Sequence, residues 1–305
     1  MPDNSVHEAW NVFWERETRS GKAASGQTPE NWQSIDRAQA AAWQAFAKAL
    51  PKGARVLDVA TGDGRAMAHL LQTRRDLKIM GVDRAVKLPK PPRGAKMRGG
   101  VAMEDLPFAA AQFTCVTSQF GFEYSDIEKS AEAIARVLRP GGRFAMISHR
   151  SDGPIVAHNR KRRAQIAWVL EEQDLLALAR NSLRLRSAGI AAIPPAIIAA
   201  PEQGAAMFGS QSAAWEIAEA IRQTLHMGRR DDPARVAAIL DDIGQQAENE
   251  LGRIASLEIA ATTASGGSML QVLEGVGFIL KEEAPLTAAF APEPFADFRV
   301  FQLPG

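Results

Sequence analysis

Arg55-Val-Leu-Asp-Val-Ala-Thr-Gly-Asp-Gly-Arg65 decides how this chain folds. Val56 to Val59 is a short apolar run of the kind that forms a buried strand. It stops at Ala60-Thr-Gly62-Asp-Gly64, and the helical spacing of Met67, Leu70 and Leu71 follows at once. Gly62 and Gly64 permit a tight turn and let a ligand approach bare backbone. The helix that follows points its free N–H groups at whatever binds there. Strand, glycine turn and helix make a nucleotide-like cofactor site at the carboxyl edge of a parallel sheet.

Working outward, Lys78-Ile-Met-Gly-Val-Asp83 is a second short strand that ends on an acid. An acid about 20 residues beyond the glycine turn is placed to accept hydrogen bonds from a ribose diol. The same residue could instead be a helix cap or a turn residue. Met67 stands where a third dinucleotide-site glycine would fall, which argues against NAD and FAD.

Three further segments follow in order: Glu104-Asp-Leu-Pro-Phe108, Gln112 to Gly121, and Ala135-Arg-Val-Leu-Arg-Pro-Gly-Gly-Arg-Phe-Ala-Met-Ile-Ser-His149. With them the chain resembles the class I S-adenosylmethionine (SAM)-dependent methyltransferases. The nearest group is methyltransferase type 11, which includes ubiquinone- and menaquinone-biosynthesis C-methyltransferases. The resemblance covers residues 40–150 and resumes weakly at 267–303. It implies a Rossmann-like α/β sheet, parallel with a closing antiparallel hairpin, and SAM as cofactor. It also implies roles: Ala60, Thr61, Gly62 and Gly64 against the methionine moiety, with Asp58 buttressing the loop. Asp83, with Arg84 beside it, would hold the ribose. Ala102, Met103 and Glu104 would flank the adenine, and Gln119, Phe120 and Gly121 would face the methionine and methyl group.

The chain departs from the family pattern at three places. Ala102 replaces the Asp or Asn that often bonds the adenine amino group, leaving backbone N–H, Asp105 or Met103 for that task. Thr114 replaces the usual Asp at the start of the fourth strand. Ala60 replaces the first glycine of the turn.

Composition fits a cytoplasmic enzyme: 305 residues, 46% hydrophobic and 23% charged, close to globular averages. A net charge of +1 gives no general attraction to nucleic acid or membrane. The single cysteine, Cys115, excludes a disulfide framework or a cysteine-built metal site and reads as a small buried hydrophobe. No metal is expected. Nor is a membrane span, since no run of about 18 apolar residues exists, nor a secretory signal, given Met-Pro-Asp-Asn-Ser-Val-His-Glu at the start.

Residues 1–50 are expected to form capping helices. Trp10, Phe13 and Trp14 share one face of the first, and Ser34 caps the second, whose apolar face is Ile35, Ala38, Ala42 and Phe46. The tryptophans could close over SAM or an aromatic substrate, or pack the first helix. Residues 51–154 and 264–305 are expected to make the SAM-binding domain, with Gly275–Leu280 and Phe295–Phe301 as the hairpin. Residues 155–263 read as a helical insertion, broken at Ile193-Pro-Pro-Ala and Ala200-Pro-Glu-Gln-Gly, and acting as lid or dimer interface. Its last helix starts at Asp232-Pro233 and runs to about residue 262, about 45 Å at 1.5 Å per residue.

Methyl transfer from a sulfonium is an in-line displacement, so the protein must align a nucleophile and shed water. A general base helps if the nucleophile is a hydroxyl or an activated carbon. His149 follows the fifth strand directly and is the first candidate; Glu123 and Tyr124 follow the fourth. A structural histidine, and the start of the next helix, are the bland alternatives. His158-Asn-Arg-Lys-Arg-Arg163 could grip an anionic substrate, or be a solvated helix face. Ile190 to Ala200 could line an apolar pocket, or be a buried connector. The expectation is a SAM-dependent methyltransferase acting on an O or C atom of an enclosed small molecule, with secondary metabolism as the setting and a homodimer as the assembly. The alternatives are a non-catalytic SAM-binding scaffold or regulator, and, further off, a nicotinamide oxidoreductase on a similar sheet.

Overall fold

A computed structural model describes residues 30–187, 192–289 and 291–305, with side chains from residue 33 onward. The expected helix through Trp10, Phe13 and Trp14 lies outside these residues, as does part of the Ile190–Ala200 segment. The chain divides into two compact units. One comprises residues up to 156 together with 256–305; the other is 157–255.

The first unit is built on seven strands: β1 (Arg55–Val59), β2 (Lys78–Val82), β3 (Ala95–Arg98), β4 (Phe113–Gln119), β5 (Leu138–His149), β6 (Ile279–Ala288) and β7 (Ala291–Gln302). Their order is β3-β2-β1-β4-β5-β7-β6. The first five are parallel, and β7 runs antiparallel to both β5 and β6. This is the expected Rossmann-like sheet with a closing hairpin, but the first hairpin strand is Ile279–Ala288 rather than Gly275–Leu280, because Gly275 still ends a helix and Val276 to Phe278 turn the chain into the strand. Among the described residues, four helices lie wholly within it: α1 (Glu30–Lys48), α2 (Arg65–Thr73), α3 (Ile127–Val137) and, near the C-terminus, α9 (Gly267–Gly275).

The period-2 alternation of β1 explains the two-faced core. Val56 faces α1 and α2, in a cluster with Trp43, Phe46, Met67, Leu70, Cys115, Ile147 and Phe298. Leu57 and Val59 face α3 and α9, in a cluster with Val116, Ile134, Val137, Phe144, Met269 and Leu273. The next residue on the Val56 side is Asp58, so the alternation delivers a carboxylate into the interior.

Several expectations are corrected. Helix α1 starts at Glu30, so Ser34 lies inside it, buried, rather than capping it. Asp126 does cap α3, accepting from the Lys129 N–H at 3.2 Å. Strand β3, Ala-Lys-Met-Arg, was not anticipated: it is a four-residue edge strand whose pattern is too short to stand out. Pro140-Gly141-Gly142 sits inside β5. The chain loops out there, so that Phe113 pairs with Leu138 but Cys115 with Arg143.

The second unit has its own apolar core. The chain enters it along α4 (Pro154–Ala167) and leaves along α8 (Pro233–Ser265); between them lie α5 (Leu175–Ser187), α6 (Pro195–Phe208) and α7 (Ala213–Met227). Trp168, Leu175, Ile197, Ile221, Leu225 and Leu240 are buried together. The helix from Pro233 runs 33 residues, slightly past its expected end. The expected break at Ala200-Pro201 does not occur: α6 continues through Pro201. Ile197 and Ala200 on its buried face pack into the unit's core, and that tertiary burial outweighs the roughly 3 kcal/mol that an interior proline costs a helix.

Trp43 ties α1 to the sheet. It is fully buried, meets Phe298 edge-on at 5.5 Å, and its indole N–H donates to Gln119 Oε1 at 2.6 Å. Trp43→Phe should cost about 1–2 kcal/mol through the lost donor, and Trp43→Ala about 3–5 kcal/mol through the cavity. Urea denaturation of both variants measures the difference; equal midpoints would show that the hydrogen bond and the ring contribute nothing separable.

Candidate active site

The carboxyl ends of β1, β2, β4 and β5 bring the expected residues to one edge of the sheet. At the base of that edge lies Asp58, fully buried. Its Oδ2 accepts from the Thr61 hydroxyl at 2.6 Å and its Oδ1 from the Thr117 hydroxyl at 2.7 Å. Thr117 is the direct β4 neighbour of Asp58, while Thr61 belongs to the glycine turn. Burial pushes the Asp58 carboxyl up to about 6, against the opposing pull of these two hydrogen bonds. Asp58 therefore ties Thr61 of the glycine turn to β4.

The turn is a run of left-handed residues: Ala60 at φ 53°, Gly62 at 52° and Gly64 at 77°. The Thr61 N–H donates to Val82 O at 3.0 Å, which anchors the turn to β2. Asp83, at the end of β2, accepts the Gly62 N–H at Oδ2 (2.8 Å) and the Ala85 N–H at Oδ1 (2.9 Å). The turn role weighed for Asp83 is thus real. A carboxylate has about four acceptor positions, and two backbone donors leave capacity for a diol. Burial raises its pKa, opposed chiefly by the N–H groups of Ala85 and Gly62.

Beyond Asp83 the chain returns through Val101, whose N–H donates to Asp83 O at 2.8 Å. Met103 is buried in the core with Val82, Val101 and Leu106. Glu104 accepts the Asp126 N–H at 3.1 Å, and exposed Arg84 stands 4.0 Å from it. Thr114, in the place of the family's acid, accepts the Arg55 N–H at 3.2 Å.

The end of β4 is the most crowded part of the edge. Gln119 is held by Trp43 and donates to Gln39 Oε1 at 3.1 Å. Phe120 adopts a left-handed φ of 53°, rare for a bulky residue. Its N–H donates to Ile147 O at 2.8 Å, and its ring lies 4.2 Å from the His149 ring at 31°. A Cβ on Gly121 would fall 2.4 Å from Ala60 Cβ, so the ends of β1 and β4 touch at a point where only glycine fits.

His149, Glu123 and Tyr124 come together. Glu123 lies in the short turn Phe122–Tyr124 and is 4% exposed. Its Oε1 accepts the His149 main-chain N–H at 3.0 Å and faces His149 Nδ1 at 2.9 Å. Tyr124 meets the imidazole edge-on at 5.8 Å. Burial, and then the Glu123 charge, raise the Tyr124 phenol well above its ordinary value. The sequence named these three singly; it gave no sign of their pairing, nor of Trp43 and Gln39 as supports of Gln119.

The basic run is placed differently. Arg162 pairs within its own unit, with Glu250 and with Glu216 at 3.3 Å. It lines a cleft of about 420 Å³ with His158, Lys161, Gln165 and Phe208. Among the described residues, no helix is long and apolar enough to cross a membrane.

Residues 57–146 match the family described as a methyltransferase domain. This stretch is a class I SAM-dependent methyltransferase domain. The chain is 36% identical over 102 residues to a demethylmenaquinone methyltransferase of Deinococcus radiodurans, covering 30% of this chain and 42% of that protein. With the corresponding Thermus thermophilus protein it is 32% identical over 101 residues, covering 30% and 46%. The chain therefore spans less than half the length of these curated relatives. Among solved structures, a methyltransferase in complex with the Haloferax volcanii Trm112 activator aligns over 100% of both chains at 13% identity and a TM-score of 0.47.

The methyltransferase edge has a pH signature. Unfolded, Asp58 loses its proton near 3.8; folded, near 6. Between those values the folded state holds a proton that the unfolded state has lost, so this contribution to stability falls as pH rises through the window. A shift of this size corresponds to about 3 kcal/mol. Urea unfolding of Asp58→Asn and the parent from pH 4 to 7.5 isolates the effect. The stability difference should move by about 2 kcal/mol in favour of the variant, since at pH 4 the unfolded Asp58 has already lost much of its proton, and a pH-independent difference would show that Asp58 titrates alike in both states.

Proposed function

We propose that this chain is a SAM-dependent methyltransferase that methylates an O or C atom of a small molecule. The observation that carries the reading is the glycine turn of the matched family, held by Asp58 and facing the Asp83 carboxylate at the ends of adjacent strands. The donor set fits the cofactor. The turn of Ala60, Thr61, Gly62 and Gly64 would take the methionine moiety, Asp83 the ribose hydroxyls, Arg84, Met103 and Glu104 the adenine end, and Gln119 and Phe120 the methyl-bearing end. When bound, SAM supplies an electrophilic methyl on a sulfonium. The chain's own part is to orient an acceptor, exclude water with Phe120 and Tyr124, and take the acceptor's proton at His149.

The two curated relatives are named for demethylmenaquinone, so a reduced naphthoquinone with a free ring carbon is the first acceptor to test, ahead of phenols and carboxylates. The scaffold alternative drew on Ala60 and Ala102. Ala60 adopts the left-handed conformation that the family's glycine would supply, so this substitution leaves the turn intact and is compatible with cofactor binding in either reading, which turnover separates.

The test combines binding and turnover. SAM and S-adenosylhomocysteine should raise the melting temperature and NAD should not; a ligand at 100 times its dissociation constant stabilises by about 2.7 kcal/mol. Asp83→Ala should weaken SAM at least tenfold, since a hydrogen bond to a charged group is worth roughly 1.5–3 kcal/mol. His149→Ala should lower turnover about 100-fold with SAM affinity retained. Binding of SAM without S-adenosylhomocysteine formation across the acceptor panel would return the scaffold reading.

The same reading includes a homodimer through the helical segment, supported by exposed Ile239 and Ile259 on α8. Light scattering at micromolar concentration should give twice the chain mass of 33.0 kDa; a monomer would remove the dimer and leave the catalytic proposal standing.

A further inference from the structure

The Glu123–His149 pair has a chemical polarity. Glu123 Oε1 takes two contacts from one residue, the main-chain N–H of His149 and its Nδ1. An ionised carboxylate can only accept, so Nδ1 must carry the hydrogen. In a neutral imidazole the other nitrogen, Nε2, is then bare and is the ring's proton acceptor. Among the described residues Nε2 has no hydrogen-bond partner, and neither does the buried Glu123 Oε2.

The carboxylate is itself fixed. Its turn is tied to β4 by the Phe122 N–H, which donates to Ser118 Oγ at 3.1 Å, and by the Tyr124 N–H to Gly121 O at 3.1 Å. Phe120 stacks on the imidazole face and Tyr124 meets it edge-on. The ring is thus held at Nδ1 and on its surfaces, leaving Nε2 for chemistry.

We infer that Glu123 is a positioning residue that locks His149 in the Nδ1–H tautomer, so that Nε2 takes the proton from the methyl acceptor. The inference rests on the reading of His149 as the base. The step balances: the acceptor's O–H or C–H proton passes to Nε2, the acceptor's electron pair bonds the methyl carbon, and the methyl–sulfur bond breaks with its pair going to sulfur, so that the neutral thioether S-adenosylhomocysteine would leave. The imidazolium so formed keeps its Nδ1–H against the Glu123 carboxylate, which neutralises the new charge.

Nitrogen-15 spectra of the histidine-labelled full-length protein, taken where His149 is neutral, test this without a substrate. His149 is assigned by the peak lost in His149→Gln. The expected spectrum has a protonated Nδ1 and a bare Nε2. A protonated Nε2 in the parent protein would overturn the inference.

Glu123→Gln supplies the second arm, since its amide can offer an N–H to Nδ1 and move the hydrogen to Nε2. The Nδ1–H tautomer should lose population. With a reduced naphthoquinone as acceptor, kcat should fall about 100-fold while KM and SAM affinity stay within about threefold. Glu123→Asp should recover part of kcat. An unchanged tautomer and kcat in Glu123→Gln would reduce Glu123 to a structural role. His149→Gln with parental kcat would instead defeat the base reading, whatever the tautomer. If Glu123→Gln does not fold, the parental spectrum decides alone.

Discussion

The Asp58 carboxylate is the interaction on which the site depends. Strand alternation places it inside the protein, where a charge is costly unless hydrogen-bonded. Two threonine hydroxyls meet it, one from β4 and one from the turn after β1. Thr61, so held, passes its N–H to β2, and Gly62 passes the next one to Asp83. A single buried acid therefore sets the relative heights of three strand ends. Its raised pKa, pushed up to about 6 by burial, shows that the hydroxyls offset the desolvation only in part. What that burial secures is the position of the turn.

The second constraint is space. Ala60 and Phe120 both sit in the left-handed region, and Gly121 has no room for a side chain because Ala60 Cβ occupies it. The family's glycine is missing from β1's turn, and a glycine stands opposite on β4. The contact between the two strand ends tolerates one Cβ, and here it belongs to Ala60. The backbone strain at Phe120, of order 1–3 kcal/mol, brings its ring against His149.

Strong local periodicity made much of the fold legible in the sequence. β1, its turn, α3 and the Pro233 helix each carry a pattern several residues long with a boundary signal. β3 carries neither: four residues with alternating lysine and arginine look like a loop until β2 pairs with them. Ser34 looked like a cap because capping is read from one residue and its followers, whereas α1 extends back to Glu30. In the site, Asp58, Gly62 and Asp83 were named from a motif, a glycine turn after a strand with an acid about 20 residues on, rather than from any sign of their contact. The His149–Glu123 contact spans 26 residues and the Trp43–Gln119 contact 76, distances at which one sequence carries no pairing information. His149 and Glu123 were named because each follows a strand, not because either announced the other.

The boundaries of the family match divide the site by task. Residues 57–146 include Asp58, the glycine turn, Asp83, Phe120 and Glu123. Trp43 lies before them and His149 three positions beyond. The residues proposed to hold the cofactor thus lie inside the family match, while the proposed base lies just beyond its end. Glu123 lies within the match, and its Oε1 meets a residue three positions past that end. The Nδ1–H polarity proposed for the Glu123–His149 pair requires only that the acceptor yield a proton.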